Sequence, residues 1–312
     1  MDKKIIGIIA AVIILIAAIA ALGSFGGSTE KVSIGYLPSD HDSALFVANA
    51  SGMYKDAGIE VELHEYNNGG DLMSAMASGH VDVGYVGITP VLSSIQKGVP
   101  VKIVAGAQTE GSGLIASSSD VHSITDLKGK KVATPGEASI QNMLLKYELK
   151  NNGMDASSVE SPGMKVASMN DALKTGSLDA ALTYEPFVSI ATELNNATLV
   201  KKSGDIYPNH PCCVVAVSDK FISERPDTVA KIVDIHKQAT EKLRSNPEDC
   251  VQYLPDTIVP DKEVEKGVLK ELNWVSDLND TYKQDIRDFI SVEKDLGLIN
   301  TTFTDEQLFY SK

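Results

Sequence analysis

From residue 31 onward the chain alternates two patterns. Short apolar runs, the mark of buried strands, fall at 31–37, 59–64, 81–86 and 99–105. Between them apolar positions recur at helical spacing, which predicts helices over 43–57, 71–78 and 90–96. Gly58 and Gly79 stop two of these helices. Strand–helix alternation with short joints predicts a mostly parallel sheet flanked by helices, an α/β lobe.

A second unit of the same kind starts near residue 123. It reads as a strand at 131–134, a helix at 138–151 stopped by Asn152-Gly153, and a helix at 167–175. A strand at 179–184, a helix at 187–194 and a strand at 198–202 follow. The two units share a short repeat. Ala75-x3-Gly79-x2-Asp82 leads through a strand to Gly87-Ile-Thr-Pro90, and Ala172-x3-Gly176-x2-Asp179 leads through a strand to Tyr184-Glu-Pro186. Each is a helix end, a glycine stop, a strand, and a proline in the first turn of the next helix. Two similar lobes imply a cleft between them.

The apolar run 211–218 predicts a strand that returns the chain to the first lobe. Beyond it, Val229, Ile232, Val233, His236, Ala239 and Leu243 share one helix face, and Tyr282, Ile286, Phe289, Ile290 and Leu296 share another. Such stripes are core by default, so His236 reads as a core or rim histidine. The expected division is 31–118 with 214–312 as lobe 1, and 119–213 as lobe 2.

Ahead of the lobes, Lys3 and Lys4 precede an unbroken apolar run at 5–22. A charged start followed by such a run reads as an export signal, and the run also has the length to span a bilayer. Residues 1–23 are therefore expected to be a signal peptide or a membrane anchor, with 24–30 as a spacer. The lysines favour leaving that end inside and the rest extracytoplasmic, in the periplasm or on the outer face of the cell membrane. No cysteine follows the run, which excludes a lipid-modified N-terminal cysteine.

Composition changes the picture mainly by exclusion. The 312 residues carry a formal charge of −14, with no basic cluster, so nucleic acid is set aside as a partner. Three cysteines, Cys212, Cys213 and Cys250, are not a disulfide framework. A bond between the adjacent pair would be strained, and free buried thiols are expected, with a Cys250 pairing as the alternative.

Several segments together carry a resemblance. They are Ile34-Gly-Tyr-Leu-Pro38 with Leu45-Phe-Val-Ala48, and Gly52-Met-Tyr-Lys-Asp-Ala-Gly58. Gly79-His-Val-Asp-Val-Gly84, Asp126-Leu-Lys-Gly-Lys-Lys-Val132, Leu178-Asp-Ala180 and Tyr184-Glu-Pro186 follow in order. The chain resembles the ABC-transporter solute-binding proteins of the nitrate/sulfonate/taurine and pyrimidine-precursor type, the type II periplasmic-binding-protein family. The resemblance implies two α/β lobes joined by two crossover strands, with ligand held between them. It also implies delivery to a membrane permease with its ATPase subunit, by a protein expected to act as a monomer and to need no cofactor.

Ligands of α/β lobes sit beyond the C-terminal ends of the strands, near helix N-termini. The loops there supply Ser39, Asp40, His41, Asp42, Gly69, Gly70, Gly87, Thr89, Ser112, Glu137, Ser139, Tyr184, Glu185 and His210 as candidate ligand contacts. Glycines allow close backbone approach. The loops hold acids and two histidines but no Lys or Arg, which favours a sulfonate- or taurine-like solute with a cationic end over a bare inorganic anion, with an organic cation or a neutral polar heterocycle as the alternatives. Helix capping is the competing reading for Asp40, Asp42 and Glu137. His41, His210, Asp42 and Cys212 match no compact ligand spacing, so no metal is expected. No GxSxG, HExxH or P-loop motif is present, which argues against an enzyme. The alternatives are pyrimidine-precursor binding, a thiamine-pyrimidine-synthase-like enzyme echoed by Cys212-Cys213 beside His210, and an anchored ligand sensor.

Overall fold

The computed structural model describes residues 29–259 and 261–311. The expected signal or anchor at 1–23 and most of the spacer lie outside them. Among the described residues no helix is long and apolar enough to cross a membrane.

In chain order the elements that position the site are β1 (Glu30–Tyr36), α1 (Ser43–Ala50), β2 (Ile59–Glu65), α2 (Gly69–Ala77), β3 (Val83–Gly87) and α3 (Ile88–Gln96). After β4 (Val101–Thr109) come β5 (Ser112–Ala116), β6 (Val132–Ala133), α4 (Ile140–Asn151), α5 (Met169–Lys174), β7 (Ala180–Tyr184) and β8 (Thr198–Lys202). The chain returns through β9 (Pro211–Ser218) to α6 (Pro226–Ser245), α7 (Lys262–Glu271), β10 (Asn273–Trp274) and α8 (Asp280–Asp295).

Two sheets form two lobes. The first has the order β10-β4-β9-β3-β1-β2, the second β6-β7-β5-β8. The expected α/β architecture is present, but the sheets are mixed rather than mostly parallel. β1 runs parallel to β2 and β3, whereas β9 is antiparallel to both β3 and β4. In the second sheet only β6 and β7 are parallel. The reason is connectivity: β9 enters the first sheet from the other lobe, so it runs against the strands that leave it. β5 was not expected as a strand. It pairs with β7 and β8, so the second sheet begins at Ser112, and the first resumes at Pro211.

The repeat read in the sequence has a structural counterpart. Gly79 and Gly176 close their helices at φ 76° and 72°, where a side chain is disfavoured. The aspartate three residues on then accepts a hydrogen bond from a backbone N–H of the neighbouring parallel strand or of the residue that leads into it. Ser33 N–H donates to Asp82 Oδ2 (3.1 Å), and Lys131 N–H donates to Asp179 Oδ2 (2.8 Å).

The first sheet is buried on both faces, as the alternation in β9 shows. Val215 and Val217 pack with Ile34, Val83 and Ile232, while Val214 and Ala216 pack with Leu72, Ile88 and Phe289. The second of these clusters continues into lobe 2 through Leu114, Ile140 and Leu182. His236 on α6 is fully buried, as its place in the helix stripe predicts. Its Nε2–H donates to the Gly106 carbonyl (2.7 Å), leaving Nδ1 to accept from the Tyr85 hydroxyl (3.2 Å).

Two crossings join the lobes and are tied to each other. The outgoing one passes Glu110 and Gly111, both at positive φ (63° and 72°). Glu110 N–H donates to the His210 carbonyl (3.2 Å), and Asn209 N–H donates to Glu110 Oε1 (2.7 Å).

Candidate functional site

The C-terminal ends of β1, β2, β3, β6 and β7 converge between the lobes on the first residues of β9. They enclose a cavity of about 40 Å³ lined by Ser39, His41, Asp42, Asn67, Asn68, Gly69, Gly87, Pro135, Ser139, Gln141, Tyr184, Cys212 and Cys213, with Leu37, Pro90 and Ile140. A water needs roughly 10–15 Å³ by this measure, so the space admits an ion or a small head group.

Three helices begin at the cavity. α2 is capped by Asn68, whose Oδ1 accepts from Asp71 N–H (2.9 Å), and α4 by Ser139, whose Oγ accepts from Asn142 N–H (3.1 Å). α3 starts directly after Gly87, where a Cβ would stand 3.1 Å from Ile140 Cδ1 of the other lobe. The absence of a side chain there leaves the cavity open. The lobes touch at its rim: Ser39 Oγ donates to the Glu185 carbonyl (3.3 Å), and His41 Nε2–H donates to the Gly111 carbonyl (2.8 Å).

The electrostatics are those of a site rich in lone pairs. No Lys or Arg lines the cavity. Asp40 and Asp42 are buried, and both oxygens of Asp40, Asp42 Oδ1 and His210 Nε2 lack hydrogen-bond partners. Burial pushes Asp42 up to about 8, against the pull of the Leu37 N–H and His41. Burial, then the charges of Glu265 and Glu185, raise Asp40 well above the carboxylate range. Burial opposes protonation of His41, but the charge on Cys212 and the Gly111 carbonyl outweigh it and raise its pKa. Cys212 shows the reverse: burial disfavours its thiolate, and Cys213 with His41 overcome that and lower it.

Of the fourteen residues the sequence nominated, Ser39, His41, Asp42, Gly69, Gly87, Ser139 and Tyr184 line the cavity. The others do not. Asp40 is buried behind its neighbours, and Thr89 is buried within α3. Glu137 is exposed to solvent. Gly70 borders a separate surface hollow beside α2 and α3. Ser112 and Glu185 line another hollow, of about 340 Å³, beyond the outgoing crossover. Glu185 is a local cap there, its carboxylate accepting from the backbone N–H and hydroxyl of Ser189 (both 3.0 Å). His210 is held by its Nδ1–H, which donates to the Tyr207 carbonyl (2.6 Å), and does not line the cavity. Asn67, Asn68, Gln141, Cys212 and Cys213 also line the cavity and were not among the fourteen. Gln141 sits two residues into α4, after a Ser cap that the sequence does show.

All three cysteines are free and buried, as expected. Along the sequence His41, Asp42, His210 and Cys212 share no compact ligand spacing. Folding instead gathers His41, Cys212 and Cys213, with one donor atom of each within 4.8 Å of the others.

Two α/β lobes on a double crossover, with a cavity at the converging strand ends, define the two-lobed fold of the periplasmic-binding-protein type. The chain belongs to the NMT1-like family, whose match covers residues 26–251. It is 27% identical over 295 residues to a Bacillus subtilis protein assigned to aliphatic sulfonate binding, covering 91% of this chain and 86% of that one. Among solved structures it resembles a zinc-bound ligand-binding component of an ABC-type import system from Staphylococcus aureus (TM-score 0.78, 22% identity, 90% of this chain and 96% of that one). It equally resembles the alkanesulfonate-binding protein SsuA of Xanthomonas axonopodis pv. citri bound to MOPS (TM-score 0.78, 19% identity, 88% and 96%).

Proposed function

We propose that this chain is an extracytoplasmic solute-binding protein that captures a small sulfonate- or taurine-like solute between its lobes for an ABC permease and ATPase. The observation that carries the reading is the cavity itself, where three helix N-termini and the lone-pair-rich loop at 39–42 meet from two lobes. Helix N-termini favour an anionic group, and Asp42, whose burial raises its pKa, favours a cationic one whose charge would draw that pKa back down. A solute with both ends meets both demands, and the sulfonate-binding relative supports that class. The apolar run at 5–22 serves export or anchoring in this reading.

A thermal-shift screen of the full chain in mild detergent tests it. The panel holds taurine, alkanesulfonates, amino-pyrimidines, nitrate and bicarbonate. At a hundredfold excess over Kd the ligand adds about 2.7 kcal/mol, which raises Tm by roughly 5–10 °C for a domain of this size. Aminosulfonates are expected to outrank nitrate and bicarbonate; a shift with inorganic anions alone sinks the reading of ligand class. Tyr184→Ala should weaken the best hit about tenfold or more while the protein stays folded. Solute recovered from the heated protein is expected unchanged, and a chemically altered product would point to the pyrimidine-synthase class instead.

A further inference from the structure

We propose that His41 Nδ1, Cys212 Sγ and Cys213 Sγ form a zinc site at the base of the cavity. The geometry starts with the histidine. A carbonyl can only accept, so the 2.8 Å contact with Gly111 places a hydrogen on Nε2 and turns Nδ1 toward the sulfurs. This is the outer-shell arrangement that orients a metal-binding imidazole. Nδ1 lies 3.6 Å from Cys212 Sγ and 3.7 Å from Cys213 Sγ. A tetrahedral ion with Zn–N of about 2.0–2.1 Å and Zn–S of about 2.3 Å places its nitrogen and sulfur roughly 3.5–3.6 Å apart. Both nitrogen–sulfur separations therefore stand close to the edge length of a zinc tetrahedron, and the two sulfurs lie within 4.8 Å of each other.

Adjacent residues of a regular strand face opposite sides, so two neighbouring cysteines should not share a partner. Here the register between β4 and β9 shifts at Gln108, and Cys212 has no ladder partner in β4. The fully buried Gln108 side chain takes over the ladder, accepting from Cys213 N–H (3.1 Å) and donating to the Glu110 carbonyl (3.1 Å). This irregularity brings both thiols to one imidazole.

The surroundings favour a cation independently. Asp42 lines the same cavity, and its buried Oδ1 has no hydrogen-bond partner. Two thiolates and a neutral imidazole balance a divalent ion, and a neutral assembly is the one tolerated in a buried site. With three protein donors lining the cavity, the fourth position is left to its contents, as in zinc sites that keep an open coordination position. The assignment does not depend on which solute the clamp carries.

The test uses the full chain in mild detergent, stripped with chelator under reducing conditions and titrated with Zn²⁺ alone. Elemental analysis after desalting is expected to find about one zinc per chain. Cobalt(II) in its place should show sulfur-to-metal charge-transfer bands. Outer-shell losses alone weaken zinc about 10–100-fold, so Cys212→Ser, Cys213→Ser and His41→Ala should each weaken it by about 100-fold or more. Cys250→Ser, outside the cavity lining and in the other core cluster, should bind as the wild type does. Circular dichroism checks that each variant is folded, and the wild-type titration and cobalt spectrum stand even where a variant is not. No retained zinc, a cobalt spectrum without thiolate bands, unaltered zinc affinity in a folded Cys212→Ser/Cys213→Ser double variant, or retention of copper(I) but not zinc would each overturn the assignment.

Discussion

Gly111→Ala is expected to destabilise the fold by roughly 2–5 kcal/mol and to weaken solute binding. Gly111 lies on the outgoing crossover at φ +72°, a conformation that costs an L side chain about 1–2 kcal/mol. A Cβ there would also stand 2.6 Å from His41 Nε2, 2.7 Å from Leu272 Cδ2 and 2.8 Å from Gln108 Nε2. His41 and Gln108 cannot both withdraw without losing the bonds that hold the loop at 39–42 and the irregularity in β9. Gly129→Ala is the matched control: its φ is +75°, and nothing lies within 4 Å of the added carbon. Denaturant unfolding of the two variants separates backbone strain from crowding. Equal losses would show that the packing around Gly111 is slack and that it is not a constraint on the site.

Glu293→Gln is expected to stabilise the protein increasingly as pH rises. Glu293 on α8 is fully buried, and burial pushes its pKa from 4.5 up to about 8, against the smaller pull of the Thr89 hydroxyl. The sign follows from linkage. The folded state holds this proton more tightly than the unfolded chain does, so the contribution is intact below about pH 4.5 and is lost as pH rises toward about 8. The gap between those values corresponds to roughly 4–5 kcal/mol as an upper figure. The glutamine carries no such charge. The two proteins should unfold alike near pH 4.5 and differ by several kcal/mol above pH 8, about 8–15 °C in Tm. A difference in Tm that does not change with pH would mean that Glu293 keeps its charge in the fold.

Much of the architecture was legible because it is written in local patterns. The repeat around Asp82 and Asp179 named two equivalent strand entries, and glycines at 79 and 176 marked the helix ends. Boundaries moved where local and tertiary preferences compete. The helix expected over 43–57 ends at Ala50, because Gly52 takes φ +85° and a separate short turn follows over Met53–Asp56. β5 escaped because Ser112 and Gly113 are turn-like residues, and only pairing with β7 and β8 on either side makes them strand.

The candidate site divides the same way. At Ser39, Gly69, Gly87 and Ser139 the residue type at a strand end and the lining of the cavity coincide. Which member of a loop faces inward was not legible. Asp40 and Asp42 are two residues apart in one turn, and only Asp42 lines the cavity. Tyr184 and Glu185 are neighbours, yet they face different hollows.

By itself the sequence determined the two-lobed α/β plan, the glycine-marked strand ends and the absence of basic residues from the loops there, because each depends on residues near one another along the chain. Only the tertiary structure decided the mixed strand directions, the side of each turn that meets the cavity, and the meeting of His41 with Cys212 and Cys213. Those depend on where the chain crosses between lobes and where a ladder slips against its neighbour. That places residues 171 and 172 positions apart within 3.7 Å, a relation no local pattern encodes.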